Sequence, residues 1–193
     1  MPETVPKILP ASDRRRTPSM EGGGETTAVA VDPPDSNASE FEWKVCLTSV
    51  ASAGALSVLP GTDRTISVIE GNGLNIAVEG KPPVVLTPRS EPFAFPADAP
   101  ATVSLVEGPV VVLNVMSRRQ HWRHRVERRH LEGQHHLDAP GGVTILLSLG
   151  NLRVDAGHHA VELRRQDAIL VEELVLLTTD IPVEAYLIRF TRV

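Results

Sequence analysis

The chain has 193 residues, enough for one domain or two small closely packed ones, and 41% of them are hydrophobic. Only 4% are aromatic, so the core must come from Val, Leu, Ile and Ala, while 16 Pro and 14 Gly signal many turns. A net charge of -5 argues against generic nucleic-acid binding, and the single cysteine, Cys46, excludes an intrachain disulfide framework. No apolar run is long enough to span a bilayer. The stretch from Met1 to Met20 carries Arg14-Arg15-Arg16 without a following apolar segment, so it does not read as a secretory signal and a soluble cytoplasmic protein is expected.

Taken in chain order, the first punctuation is Glu21-Gly22-Gly23-Gly24-Glu25. The glycine triplet reads either as a close backbone approach to a ligand or as a flexible loop. From Phe41 the apolar period is two. Phe41, Trp43, Val45 and Leu47 alternate with Glu42, Lys44, Cys46 and Thr48, which predicts a half-buried strand with Cys46 on its polar side. Arg64 to Glu70 and Leu74 to Glu79 read as strands around Glu70-Gly71-Asn72-Gly73, where Asn-Gly predicts a tight hairpin. Val84 to Leu86, Ala101 to Val106 and Val110 to Met116 continue the series. The polar, basic section from Arg118 to Pro140 reads as a connecting strand with a solvated outer side. Beyond it, Val143 to Leu149, Leu152 to Val154, Ala160 to Leu163, Ile169 to Val171, Leu174 to Leu177 and Val183 to Phe190 are short apolar runs between turns. No window shows a helical stripe. The expected fold is all-β with two barrel-like lobes: residues 38–120 and 121–193, with 1–37 adding strand or rim structure.

Several residues stand out against this pattern. Arg64 shares parity with Ile66 and Val68, which places it on an apolar face near a barrel mouth. It either grips a carboxylate through parallel N–H bonds or forms an ion pair with Asp63 or another acid. Asn114 shares its face with Val112 and Met116, pointing inward to a ligand or satisfied by nearby backbone. All seven histidines lie between His121 and His159. The adjacent pairs His135-His136 and His158-His159 face opposite ways in a strand, and the first lobe has none, so no protein-bound metal and no cofactor are expected. Arg118, Arg119, Arg123, Arg125, Arg128 and Arg129 form a basic run with Trp122 as its only aromatic, which favours a solvated strand over RNA binding. Cys46 has no evident base beside it in sequence, and no catalytic residue is assigned.

The ordered runs Gly24-Glu25-Thr26, the strand around Trp43, Leu59-Pro60-Gly61-Thr62-Asp63-Arg64, Ile69-Glu70-Gly71, Pro92-Phe93-Ala94-Phe95-Pro96 and Asn114-Val115-Met116-Ser117-Arg118 resemble the HutD/Ves family of bacterial cupin-like proteins. The resemblance extends from about Ile8 to Arg192. It implies a two-lobed cupin-like fold, a bicupin of jelly-roll barrels of the RmlC type, and for some members a regulatory place in histidine utilisation. It implies a metal-free pocket for a small carboxylate metabolite, with Thr26, Arg64, Phe95, Asn114 and Arg118 as ligand-binding residues. Arg64 would clamp the carboxylate, Thr26 and Asn114 would hydrogen-bond it, Phe95 would wall the pocket and Arg118 would tune its charge. One stretch departs from the family pattern: Ser19-Met20-Glu21 replaces an aromatic–basic–Asn triplet. If it lines the pocket, Glu21 adds a negative charge that disfavours dianionic ligands. Neither nucleic acid nor membrane is an expected partner, and a homodimer is left open. A metal-dependent cupin oxygenase or isomerase and a pure interaction module are the alternatives.

Overall fold

The computed structural model describes residues 7–19, 21–34, 36 and 40–193. The chain forms β1 (Lys7–Leu9), a three-residue 3-10 turn (Ala11–Asp13), β2 (Arg16–Pro18), β3 (Glu25–Asp32), β4 (Trp43–Val50) and β5 (Gly54–Ala55). It continues through β6 (Thr62–Glu70), β7 (Leu74–Val78), β8 (Val84–Leu86), β9 (Phe93–Pro96), β10 (Ala101–Leu105) and β11 (Val110–Arg118). The remainder is β12 (Trp122–Leu137), β13 (Val143–Ser148), β14 (Leu152–Ala156), β15 (His159–Leu163), β16 (Ala168–Val171) and β17 (Val175–Arg192). Among the described residues there is no α-helix, and no helix is long and apolar enough to cross a membrane.

The strands gather into two compact units. Of the described residues, one unit comprises those of 15–124 with Val193, and the other comprises residues 7–14 with residues 125–192. In the first, a six-stranded sheet in the order β2-β3-β4-β11-β6-β9 and a four-stranded sheet in the order β5-β10-β7-β8 share one apolar interior. Val50, Ile66, Val68, Phe95 and Val112 enter it from the larger sheet; Leu74, Ile76, Val78, Leu86 and Val103 enter from the smaller. In the second unit, β17 pairs with β14 through Leu176–Thr178 and with β13 through Ala185–Phe190. The runs Leu174–Leu177 and Val183–Phe190 are therefore one continuous strand. Pro182 sits at its exposed middle, between those two paired stretches, where a strand tolerates a missing N–H.

Two local expectations are corrected. Glu70-Gly71-Asn72-Gly73 does not close a hairpin, because β6 and β7 belong to different sheets. Gly71 and Gly73 have positive φ, at 96° and 138°, but Asn72 does not, so the paired positive angles of a tight hairpin turn are missing. A Cβ on Gly71 would lie 2.6 Å from the Pro109 carbonyl oxygen. The glycines therefore serve a close sheet-to-sheet crossing. Second, β4 is not half-buried. Trp43, Val45 and Leu47 are buried on one face, and Cys46 and Thr48 are buried on the other.

The glycine triplet is neither a loose loop nor a cradle. A Cβ on Gly24 would lie 1.9 Å from the Ser49 carbonyl oxygen, and one on Gly22 would lie 2.6 Å from Val50 Cγ1. The Gly22 carbonyl accepts the Ala51 and Ser52 N–H groups at 2.8 and 3.0 Å, which pins this turn to the end of β4. Near the start of β12, the half-buried His124 ring shares hydrogen bonds with Ser117 Oγ at 2.7 Å and Thr65 Oγ1 at 2.9 Å. Both ring nitrogens are thus occupied. Burial, opposed only by Asp63, pushes its pKa down to about 4.

Two outcomes follow from these placements. Gly24→Ala must push the Ser49 backbone aside, an overpacking cost of roughly 1–3 kcal/mol. In a chain of this size the thermal midpoint falls by about 2–4 °C per kcal/mol, and an unchanged midpoint would refute the clash. His124 stays neutral in the folded state while an unfolded His takes a proton near pH 6.5. Its contribution to stability is therefore full above about pH 6.5 and is lost as pH falls toward 4, at roughly 1.4 kcal/mol for each pH step of one within that window. Urea titrations of the wild type and His124→Gln at pH 7 and 5 read this directly, and the variant should lose part of the acid slope.

Candidate functional site

The inner surface of the first unit changes character along its length. One end is filled by the apolar cluster; at the other, side chains of the same strands line a cavity of about 640 Å³. Register explains which residues meet there. Cys46 of β4 lies between Ala28 of β3 and Asn114 of β11. Thr48 lies between Thr26 and Val112, and Lys44 faces Met116, which faces Arg64 of β6. Because side chains alternate across a strand, Lys44, Cys46 and Thr48 share one face of β4, and Asn114 and Met116 share one face of β11. All five line the cavity with Thr26, Arg64, Ser19, Glu21 and Ser57.

Arg64 is the largest fully buried side chain among the described residues, at 2% exposure. Its Nη2 donates to Glu21 Oε1 at 3.2 Å and approaches the Met116 sulfur at 3.5 Å. Its Nε and Nη1 are buried with no hydrogen-bond partner among the described residues. The ion pair foreseen for this residue exists, but the acid is Glu21. Asp63 instead pairs with Arg119. Asn114, at 7% exposure, likewise leaves its buried Oδ1 without a partner among the described residues. Neighbouring backbone does not satisfy it. Thr26 and Thr48 join their hydroxyls in a short hydrogen bond.

Glu21 is held firmly. Its Oε1 also accepts the Ser57 N–H at 2.7 Å. Its backbone is fixed by Ser19, whose Oγ accepts the Glu21 N–H at 3.1 Å and donates to the Glu21 carbonyl at 2.7 Å. Of the triplet Ser19-Met20-Glu21, the two flanking residues therefore line the cavity; Met20 lies outside the described residues. Cys46 is a poor nucleophile here. Burial pushes its thiol up to about 11, although Lys44 and Arg64 pull the other way.

Three of the five residues proposed from sequence thus meet at one cavity: Thr26, Arg64 and Asn114. Phe95 pairs with Arg64 across β9 and β6, but its ring lies in the apolar cluster, tilted against Phe93 at 5.6 Å. It belongs to the apolar cluster and is not among the lining residues. Arg118 sits apart, in an open groove of about 550 Å³ with Glu42, Gly61, Arg119 and His121. It donates to the Phe41 and Pro60 carbonyls at 3.2 and 3.1 Å, and its guanidinium lies over the Phe41 ring at 5.1 Å. The sequence reading gave no ligand role to Lys44, Thr48 or Ser57 and weighed Cys46 only as a nucleophile. The alternating polar side of β4 was the signal for Lys44, Cys46 and Thr48, but it reads as a solvated face until the sheet is closed; Ser57 lies outside β4. Among the described residues, no group of three His, Cys, Asp or Glu side chains is placed to hold a metal ion.

The HutD family pattern matches residues 11–186 of the chain. The chain is 28% identical over 121 residues to an uncharacterized 21.2 kDa protein in the hutC 3′ region of Pseudomonas putida, covering 63% of each. It is 33% identical over 107 residues to Protein Ves of Citrobacter koseri, covering 54% of each. It spans less than two thirds of the length of these two relatives. Among solved structures, a conserved protein of unknown function from Pseudomonas aeruginosa PAO1 superposes with a TM-score of 0.88 at 24% identity, over 97% of this chain and 99% of that one. HutD from Pseudomonas fluorescens SBW25 gives 0.81 at 22% identity, over 98% and 100%. A cupin 2 conserved barrel domain protein from Leptotrichia buccalis gives 0.61 at 11% identity, over 91% and 92%, so the all-β fold is cupin-like. With the family pattern running from the 3-10 turn into β17, the chain belongs to the HutD family.

Proposed function

We propose that this chain binds a small carboxylate metabolite in the cavity of its first unit, in a regulatory and not a catalytic role in amino-acid catabolism. The histidine-utilisation names carried by its relatives suggest that setting. One observation carries the reading: among the described residues, a buried guanidinium with two unpartnered nitrogens and a buried amide oxygen without a partner border the same cavity. An orphaned buried donor costs about 1–3 kcal/mol, more when charged, so such groups call for a ligand or ordered water. A carboxylate accepts from a guanidinium through charge-assisted bonds. Among the described residues, Arg15, Lys44 and Arg64 line the cavity against Glu21, three cations to one anion, which favours an anionic group. A binding role is supported by the high thiol pKa of Cys46, which leaves that side chain protonated near neutrality.

Calorimetry of the intact protein against urocanate, formylglutamate and other mono- and dicarboxylates tests this reading. Monocarboxylates should bind more tightly than dianions of similar size, because Glu21 already places one carboxylate beside Arg64. Arg64→Met should weaken binding at least tenfold, or about 1.4 kcal/mol. Asn114→Leu should weaken it less. Flat titrations across the panel, or an Arg64→Met variant that binds as the wild type does, would reject the proposal.

A further inference from the structure

We infer that the ligand carries an ammonium group as well as a carboxylate: the site is built for an α-amino-acid zwitterion. This inference rests on the carboxylate-binding reading above and narrows it. The decisive feature is Glu21. A salt bridge that served structure alone would satisfy the guanidinium it meets, yet Glu21 contacts Arg64 through one oxygen and one nitrogen only. Arg64 Nε and Nη1 remain unpartnered. Glu21 is also no removable plug. The Ser57 N–H holds its Oε1, the Ser19 hydroxyl grips its backbone at both N–H and carbonyl, and the glycine turn behind it is locked against β4. A ligand that expelled this carboxylate would break all of its charge-assisted bonds at once, so the ligand must fit beside it.

The cavity wall therefore presents two kinds of demand side by side. The unpartnered nitrogens of Arg64 ask for an acceptor, and Lys44 adds a second cation to the wall. Glu21 and the unpartnered Asn114 Oδ1 ask for a donor. Asn114 and Met116 are two residues apart on one face of β11, about 7 Å along the strand, and Met116 faces Arg64 in the next strand. A bare carboxylate meets the first demand and is repelled by Glu21 in meeting it. An α-amino acid carries its carboxylate and its ammonium on one carbon, so it can answer both within that span. Its net charge of zero also removes the repulsion that a second anion would feel.

The test compares ligands that differ only in the ammonium group: L-alanine with propanoate, L-glutamine with glutaramate, and L-phenylalanine with 3-phenylpropanoate. Each is titrated calorimetrically into the full-length wild-type protein. In at least one pair the amino acid should bind tenfold or more tightly than its des-amino partner. Glu21→Gln should reduce that ratio at least tenfold, by weakening the amino acid while leaving the des-amino acid equal or tighter. Thermal unfolding checks that the variant is folded, and the wild-type comparison stands without it. If the des-amino acids bind as well as or better than the amino acids in every pair, and depend on Arg64, the zwitterion inference is overturned while carboxylate binding stands. If no member of any pair binds, the zwitterion inference falls, and the carboxylate reading stands or falls with the wider carboxylate panel above.

Discussion

Burying a guanidinium is among the costliest placements a folding chain can make, and the first unit is arranged around one. Arg64 stands in β6 two residues from Ile66 and four from Val68, on the strand face that these residues turn into the apolar cluster. Its stem continues that cluster, while its charged head reaches the cavity. The head needs a counter-charge that the strands themselves do not supply. It comes from Glu21, outside the regular sheet, and this explains the tightness of the turn that delivers it. Gly22 and Gly24 have no room for a side chain, Ser19 clasps the Glu21 backbone, and Ser57 holds its carboxylate. A loose loop would let that carboxylate escape to water and leave the cation buried alone.

The composition of the interior follows from the same constraint. With 4% aromatic residues the chain cannot fill a barrel with rings. The apolar end is packed by Val, Ile and Leu, and Phe95 closes it behind Arg64. The other end remains open, and strand faces that would ordinarily meet solvent turn inward there. Lys44, Cys46 and Thr48 are the polar side of β4, yet Cys46 and Thr48 are as buried as the apolar side. The polar face of β4 is thus buried within the closed sheets, where it lines the cavity.

The second unit shows the contrast. Among its described residues no charged side chain is buried, and its core is built from Leu, Val, Ile and Ala of β12 to β17. Its ion pairs lie nearer the surface, Arg128 with Glu184 and Arg189 with Asp138 among them. Such pairs contribute little and select no ligand.

The sequence by itself determined the class of fold. Period-two alternation from Phe41, short apolar runs between Gly and Pro, and the absence of a helical stripe all report local backbone geometry, which neighbours in the chain impose. It also determined that Arg64 and Asn114 point inward, because parity along one strand fixes the side of the sheet. Tertiary structure decided the rest. Glu70-Gly71-Asn72-Gly73 has the composition of a hairpin, yet the strands it joins take partners in different sheets, a choice made by long-range packing against Pro109 and Val110. Phe95 and Arg118 sit beside Arg64 and Asn114 in the family's motifs, but the closing of the sheets sends one ring into the core and one guanidinium to another groove. Glu21 and Arg64 are 43 residues apart, and no local rule brings them together. Which inward polar group meets which partner depends on strand order and register, and only the folded sheets set those.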